Sequence, residues 1–186
     1  MRCVAFLRGI NVGGHTSLRM ADLRAAFEDM GFEDVRTVQA SGNVVFDAGG
    51  EETTGAVAER IEIELEKVLS YPIGVAVREL TDVERLVASD PFRRVAITPE
   101  TRLYVTFLCH PATKGTSIRP EKSFGRGPDA AGGNVRLVDV GADQVLTAIS
   151  LSPEGGTTEL MAWLEKQFGP VVTTRNWNTI VKIIGG

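Results

Sequence analysis

Cys3-Val4-Ala5-Phe6-Leu7-Arg8-Gly9-Ile10-Asn11-Val12-Gly13-Gly14 decides how the rest of the chain reads. The apolar run Cys3–Leu7 has the length and composition of a buried strand, and Arg8 and the glycines close it. A helical spacing then begins near Met20, with Leu23, Ala26, Phe27 and Met30 on one face and Gly31 as the stop. A strand, a glycine-rich turn and a helix in that order is where backbone N–H groups can converge on an anion.

Working outward, Val35–Ala40 and Asn43–Asp47 read as two strands joined around Ser41-Gly42, and Gly49-Gly50 ends that hairpin. Thr53 or Thr54 caps a helix whose apolar face is Val57, Ile61, Leu65 and Val68 or Leu69. Ile73–Val77 follows as a short strand. The order over the first 80 residues is the βαββαβ of a ferredoxin-like plait, with both helices on one face of an antiparallel sheet.

The remainder echoes that order. Thr81-Asp82-Val83-Glu84 has capping-box spacing and opens a helix that stops at Asp90-Pro91. Leu103–Leu108 is a strand, residues 111–133 an irregular insert, and Asn134–Val140 with Gln144–Leu151 a hairpin turning at Gly141-Ala142-Asp143. Thr157 or Thr158 opens a helix with Leu160, Leu164 and Phe168 inward, stopped by Gly169-Pro170. A last strand, Val171–Thr174, leads into a short C-terminal helix striped by Trp177, Ile180, Val181 and Ile184. The expectation is an α+β chain of two ferredoxin-like alpha-beta plait subdomains with antiparallel sheets, at residues 1–80 and 81–186.

Composition sets limits on function. The chain has 186 residues, 43% hydrophobic and 24% charged, which are globular values. Its longest apolar runs fall far short of the ~20 residues of a membrane span. The N-terminus reads as a first strand and not as a signal peptide. Cys3 and Cys109 lack the neighbours of a metal site, Cys109-His110 being the one adjacent pair of ligand-type residues, so neither metal nor cofactor is expected. The cytoplasm is the expected address.

The net charge of −4 disfavours nonspecific nucleic-acid binding. Its distribution is uneven. Residues 1–80 hold eight Lys/Arg against thirteen Asp/Glu, whereas residues 81–186 hold twelve against eleven. Two segments contain no acid: residues 1–21, with Arg2, Arg8 and Arg19, and the tail from Pro170, with Arg175 and Lys182. Glu59, Glu62, Glu64 and Glu66 form a solvated helix face, Arg93-Arg94 a surface pair, and Lys114, Arg119, Lys122 and Arg126 make the insert basic.

Three motifs stand out: Arg8-Gly-Ile-Asn-Val-Gly-Gly14, Ser41-Gly-Asn-Val-Val-Phe46 and Thr174-Arg-Asn-Trp-Asn-Thr179. Together they resemble the bacterial family called Domain of Unknown Function 1697. The resemblance implies a double alpha-beta plait and no assigned activity, substrate or cofactor. Members often read Tyr-Ile-Gln-Ser-Gly-Asn at the second motif. Here Val38-Gln39-Ala40-Ser41-Gly42-Asn43 sets the glutamine one residue earlier, and a one-residue shift along a strand reverses its face, so no family role passes to Gln39. Where a lysine often follows the first glycine pair, this chain has His15.

Each motif has a structural and a functional reading. Arg8 can hold a carboxylate or phosphate in bidentate fashion, and Gly13 and Gly14 permit close ligand approach. The spacing is neither a dinucleotide fingerprint nor a Walker loop, and the same glycines can simply shape a turn. Ser41-Gly42-Asn43 suits a hairpin, and no catalytic triad assembles from His15 and His110. Asn176 can cap the last helix with Trp177 in the core, or Arg175, Asn176, Trp177 and Asn178 can line a pocket. The leading expectation is a site for a small anionic or nucleotide-like ligand at Arg8, Asn11, Gly13, Gly14, His15, Ser41, Asn43, Arg175, Asn176, Trp177 and Asn178. Catalytic residues and oligomeric state stay open. The alternatives are an RNA-binding plait presenting Phe6 and Phe46 to bases, or an assembly module using a sheet edge or the terminal helix.

Overall fold

The computed structural model describes residues 1–11, 18–109, 135–150, 157–168 and 172–185. The chain divides into two compact units, Met1–Ala88 together with Asn178–Gly186, and Ser89–Trp177. Each contains one four-stranded antiparallel sheet, so the class is α+β.

The first sheet is built from β1 (Arg2–Leu7), β2 (Glu33–Thr37), β3 (Asn43–Asp47) and β4 (Val75–Glu79) in the order β2-β3-β1-β4. β1 is central because its five successive buried residues, Cys3 to Leu7, have nothing polar to offer solvent on either face. Helices α1 (Met20–Asp29) and α2 (Thr54–Leu69) cover the face that carries Cys3, Ala5, Leu7, Val44, Phe46, Val75 and Val77. The Thr53 hydroxyl accepts the Ala56 N–H at 3.2 Å and starts α2, and Ser70 ends it in a left-handed conformation. Of the two residues offered for the end of its apolar face, Leu69 packs on the core while Val68 is exposed.

Phe27, Phe32 and Phe46 form an aromatic cluster with centroids 4.5–5.7 Å apart. Arg60 lays its guanidinium 4.4 Å from the Phe32 centroid and donates to the Met30 carbonyl and Glu52, which closes the cluster with a cation. The other face of the sheet carries Val4, Phe6, Val45 and Ala76, each fully buried. Phe6 and Phe46 therefore lie on opposite faces with no exposed ring, and neither offers a stacking surface for a base.

α3 (Leu80–Ala88) contacts β1 and β4. It starts directly after Glu79, so Thr81 lies inside the helix and the expected capping box is not its N-terminus. α5 (Trp177–Ile184) returns to β2, where Arg36 Nη2 donates to the Ile183 carbonyl at 2.7 Å. Its buried residues are Thr179, Ile180 and Ile183, and Val181, placed on the apolar stripe by spacing, is exposed.

The second unit contains β5 (Thr101–Leu108), β6 (Val135–Val140), β7 (Gln144–Ser150), α4 (Thr157–Phe168) and β8 (Val172–Asn176), with strand order β6-β7-β5-β8. Counting strands from each unit's start, both sheets run second, third, first, fourth. Gly141 N–H bonds the Gln144 carbonyl at 2.8 Å to close the expected hairpin. α4 buries Leu160 and Leu164 over Leu108, Val135, Leu137, Val145, Ile149 and Val172. The insert at 111–133 and the Gly169-Pro170 stop lie outside the described residues. Among the described residues, no helix is long and apolar enough to cross a membrane.

Candidate functional site

The glycine-rich turn is fastened to its surroundings by backbone and amide bonds. Leu7 N–H bonds the Gly42 carbonyl at 2.9 Å, and Arg8 N–H bonds the Gly74 carbonyl at 2.8 Å. The chain then reverses through Gly9, at φ +72°, and Ile10 turns back into the core, 3% exposed. Arg8 itself is half-buried at the end of β1.

Asn11 is the organising side chain. Its Nδ2 donates to the Leu18 carbonyl at 3.0 Å and to the Ala40 carbonyl at 2.9 Å, and its Oδ1 accepts the Leu18 N–H at 2.8 Å. Three backbone groups from two distant segments are thus satisfied by one amide, which needs both a donor and an acceptor end. Asn11 also sits at φ 58°, a conformation that asparagine tolerates better than most residues. Gly13, Gly14 and His15 lie outside the described residues.

The β2–β3 connection packs against that turn. Gln39, at φ 59°, ends β2 early, so the strand stops at Thr37 and not at Ala40 as its composition suggests. Val38 N–H bonds the Asn43 carbonyl at 2.9 Å. The buried Asn43 amide donates to the Val38 carbonyl and to Ser41 Oγ, both at 2.9 Å. Gly42 lies so close to β1 that an added Cβ would meet Leu7 Cβ at 3.0 Å and Ile10 Cβ at 3.1 Å. Ser41 and Asn43 thus hold the hairpin in shape, with Ser41 Oγ accepting from the Asn43 amide.

The C-terminal helix meets the same place. Thr179 Oγ1 donates to Gln39 Oε1 at 2.7 Å. Residues 11, 39–43 and 179, drawn from all three motifs, are therefore neighbours within the first unit. The Gln39–Thr179 contact was missed from sequence because nothing in local spacing links residues so far apart.

Arg175, Asn176 and Trp177 belong to the second unit, and Asn178 to the first. Arg175 is buried on β8, with Nη1 donating to Thr173 Oγ1 at 2.8 Å and to the Thr174 carbonyl at 2.9 Å. Desolvation lowers its pKa to about 10, with Cys109 acting in the opposite direction. Asn176 ends β8 opposite Tyr104 and immediately precedes α5, the N-cap position. Trp177 packs edge-on against Phe92, centroids 5.1 Å apart, and Asn178 is exposed.

The chemistry available at the turn is electrostatic. Arg19 precedes α1 in an extended conformation and makes no side-chain cap to that helix. Arg19 pairs instead with Asp22 at 2.7 Å on the exposed first turn.

Comparison with known proteins agrees with this architecture. The conserved bacterial protein SP0830 from Streptococcus pneumoniae has a similar structure, with a TM-score of 0.71 and 21% identity over 99% of this chain and 97% of that one. At that identity the likeness concerns the fold. No curated protein matches the chain. The model of the family described as protein of unknown function, DUF1697, matches residues 1–129. That span holds the glycine turn and the Ser-Gly-Asn hairpin fastened to it, and by it the chain belongs to the DUF1697 family.

Proposed function

We propose that the chain binds a small anionic or nucleotide-like ligand at the glycine-rich turn after β1. The observation that carries this reading is the clip made by Asn11, whose amide bonds both backbone groups of Leu18 just ahead of a helix whose N-cap residue, Arg19, makes no side-chain cap. A helix start of this kind presents unserved N–H groups and a partial positive charge. Arg8 adds a guanidinium at the end of β1, and residues 1–21 bring no carboxylate to repel an anion. Asp22 on the first turn of α1 is the one opposing charge nearby in sequence, and Arg19 neutralises it.

The reading concerns recognition and not bond-making. Ser41 and Asn43 are spent on the hairpin, and they support the turn from below. The test is a thermal-shift series on the wild-type chain and Arg8→Ala with phosphates, nucleotides and small carboxylates. A ligand at 100 times its Kd adds about 2.7 kcal/mol, or roughly 5–10 °C for a chain of this size. The expected result is a concentration-dependent shift that Arg8→Ala removes. No shift with any of these compounds, or an equal shift in the variant, would overturn the reading.

A further inference from the structure

The C-terminal helix is tied to the stretch of chain that supplies one of the Asn11 contacts. Thr179 and Ile183 stand one turn apart on the buried face of α5. Arg36 of β2 donates to the Ile183 carbonyl at 2.7 Å, and three residues further along the chain Gln39 Oε1 accepts the Thr179 hydroxyl at 2.7 Å. One face of the helix therefore holds both β2 and the connection that follows it. Gln39 and Thr179 make no other side-chain hydrogen bond among the described residues.

The backbone at Gln39 shows why that tie matters. Among the described residues, five non-glycine positions have a left-handed φ: Asn11, Asp34, Gln39, Ser70 and Asp90. Asparagine, aspartate and serine carry short polar side chains that hydrogen-bond to nearby backbone and so ease local departures from regular structure. Glutamine is longer and lacks that local support, so its bend at φ 59° has to be held by its surroundings. Both neighbours are anchored. Val38 exchanges two hydrogen bonds with Asn43, each 2.9 Å, and the Ala40 carbonyl accepts from Asn11 Nδ2 at 2.9 Å. Gln39 is the bend between these anchors, and its φ sets the direction of the chain into Ala40. A relaxed bend would carry the Ala40 carbonyl away from Asn11. The same amide holds both backbone groups of Leu18, and it would lose one of its three fixed points.

We propose that Thr179 is a positioning residue for the glycine turn: through Gln39 and Ala40, the C-terminal helix sets the Asn11 amide that holds Leu18 ahead of α1. Its value for anion binding rests on the reading given above, since a turn ordered in advance leaves less for a ligand to order. The positioning itself is a property of the free chain.

The test is residue-resolved amide hydrogen exchange on the full chain without ligand, so it succeeds or fails separately from the anion reading. The reporter is the Leu18 N–H, which Asn11 Oδ1 accepts at 2.8 Å. The control is the Val57 N–H of α2, which bonds the Thr53 carbonyl at 3.0 Å. Thr179→Val keeps the shape of the side chain and removes its hydroxyl. It should speed exchange at Leu18 roughly fivefold, the effect of losing one hydrogen bond, and leave Val57 unchanged. Thr179→Ser should restore the wild-type rate. Gln39→Leu alters an exposed side chain and should match Thr179→Val. Gln39→Gly takes up the left-handed bend without help, so Leu18 should exchange near the wild-type rate and adding Thr179→Val should change nothing. An unchanged Leu18 rate in Thr179→Val and Gln39→Leu, equal acceleration at Leu18 and Val57, or failure of Thr179→Ser to restore the rate would overturn the proposal.

Discussion

Gly9 and Gly42 offer a matched pair for measuring how tightly the motif turns are built. Both adopt a left-handed φ, +72° and +69°, but a Cβ at Gly9 would meet nothing within 4 Å. At Gly42 it would meet Leu7 Cβ at 3.0 Å and Ile10 at 3.1 and 3.2 Å. The first two contacts are with Cβ or near-backbone atoms of buried residues, which cannot swing aside as a side-chain tip can. Alanine at either site incurs the left-handed cost of about 1–2 kcal/mol. At Gly42 the forced repacking adds about 1–3 kcal/mol, for a total near 2–5 kcal/mol. The effect of alanine on the unfolded chain is common to both and cancels in the comparison. With a urea dependence of about 2 kcal/mol per molar, Gly42→Ala should lower the unfolding midpoint by roughly 1–2.5 M and Gly9→Ala by roughly 0.5–1 M. Urea titration followed by far-ultraviolet circular dichroism reads both. Equal midpoints for the two variants would refute the argument that Gly42 is fixed by its contact with β1.

Two further outcomes follow from groups already described. Asn11→Ala removes three hydrogen bonds, at 2.8, 2.9 and 3.0 Å, and should lower stability by roughly 2–4 kcal/mol; Asn11→Asp should not restore it, because a carboxylate cannot donate to the Leu18 and Ala40 carbonyls. A urea midpoint for Asn11→Asp equal to that of wild type would contradict the role assigned to the amide. Burial raises the Cys3 thiol from 9.0 to about 11. The native state therefore holds this proton longer than the unfolded one, so stability is complete below pH 9 and declines between pH 9 and 11. In a Cys109→Ser background, a thiol reagent at pH 8 should label Cys3 only upon unfolding, and rapid labelling of the native protein would refute that assignment.

Local signals located most elements, and tertiary pairing explains where they failed. The spacing of Leu23 and Phe27 and of Val57, Ile61 and Leu65 found α1 and α2 because burial on one side leaves a 3.6-residue record. The strand expected at Ile73–Val77 lies at Val75–Glu79, since pairing of Leu7 with Val75 and Cys3 with Glu79 sets its span and apolarity does not. α5 shows the same limit. Four apolar residues suggested one stripe, yet the buried face includes Thr179, whose hydroxyl finds Gln39. The glycine turn and the Ser-Gly-Asn hairpin were legible as turns from residue type alone. That Asn11 bonds Ala40 depends on strand order, which no local pattern records.

The placement of α5 bears on how the protein is made. Asn178–Gly186 complete the unit that Met1–Ala88 begin, so the first half of the chain emerges from the ribosome without its last helix. At about 5–20 residues per second, synthesis of the intervening stretch and the tail takes roughly 5–20 s. During that interval Gln39 lacks Thr179, and Arg36 lacks the Ile183 carbonyl. Of the two units, the one made first is thus completed after the other has been synthesised, and a chain that stops before Asn178 cannot finish it.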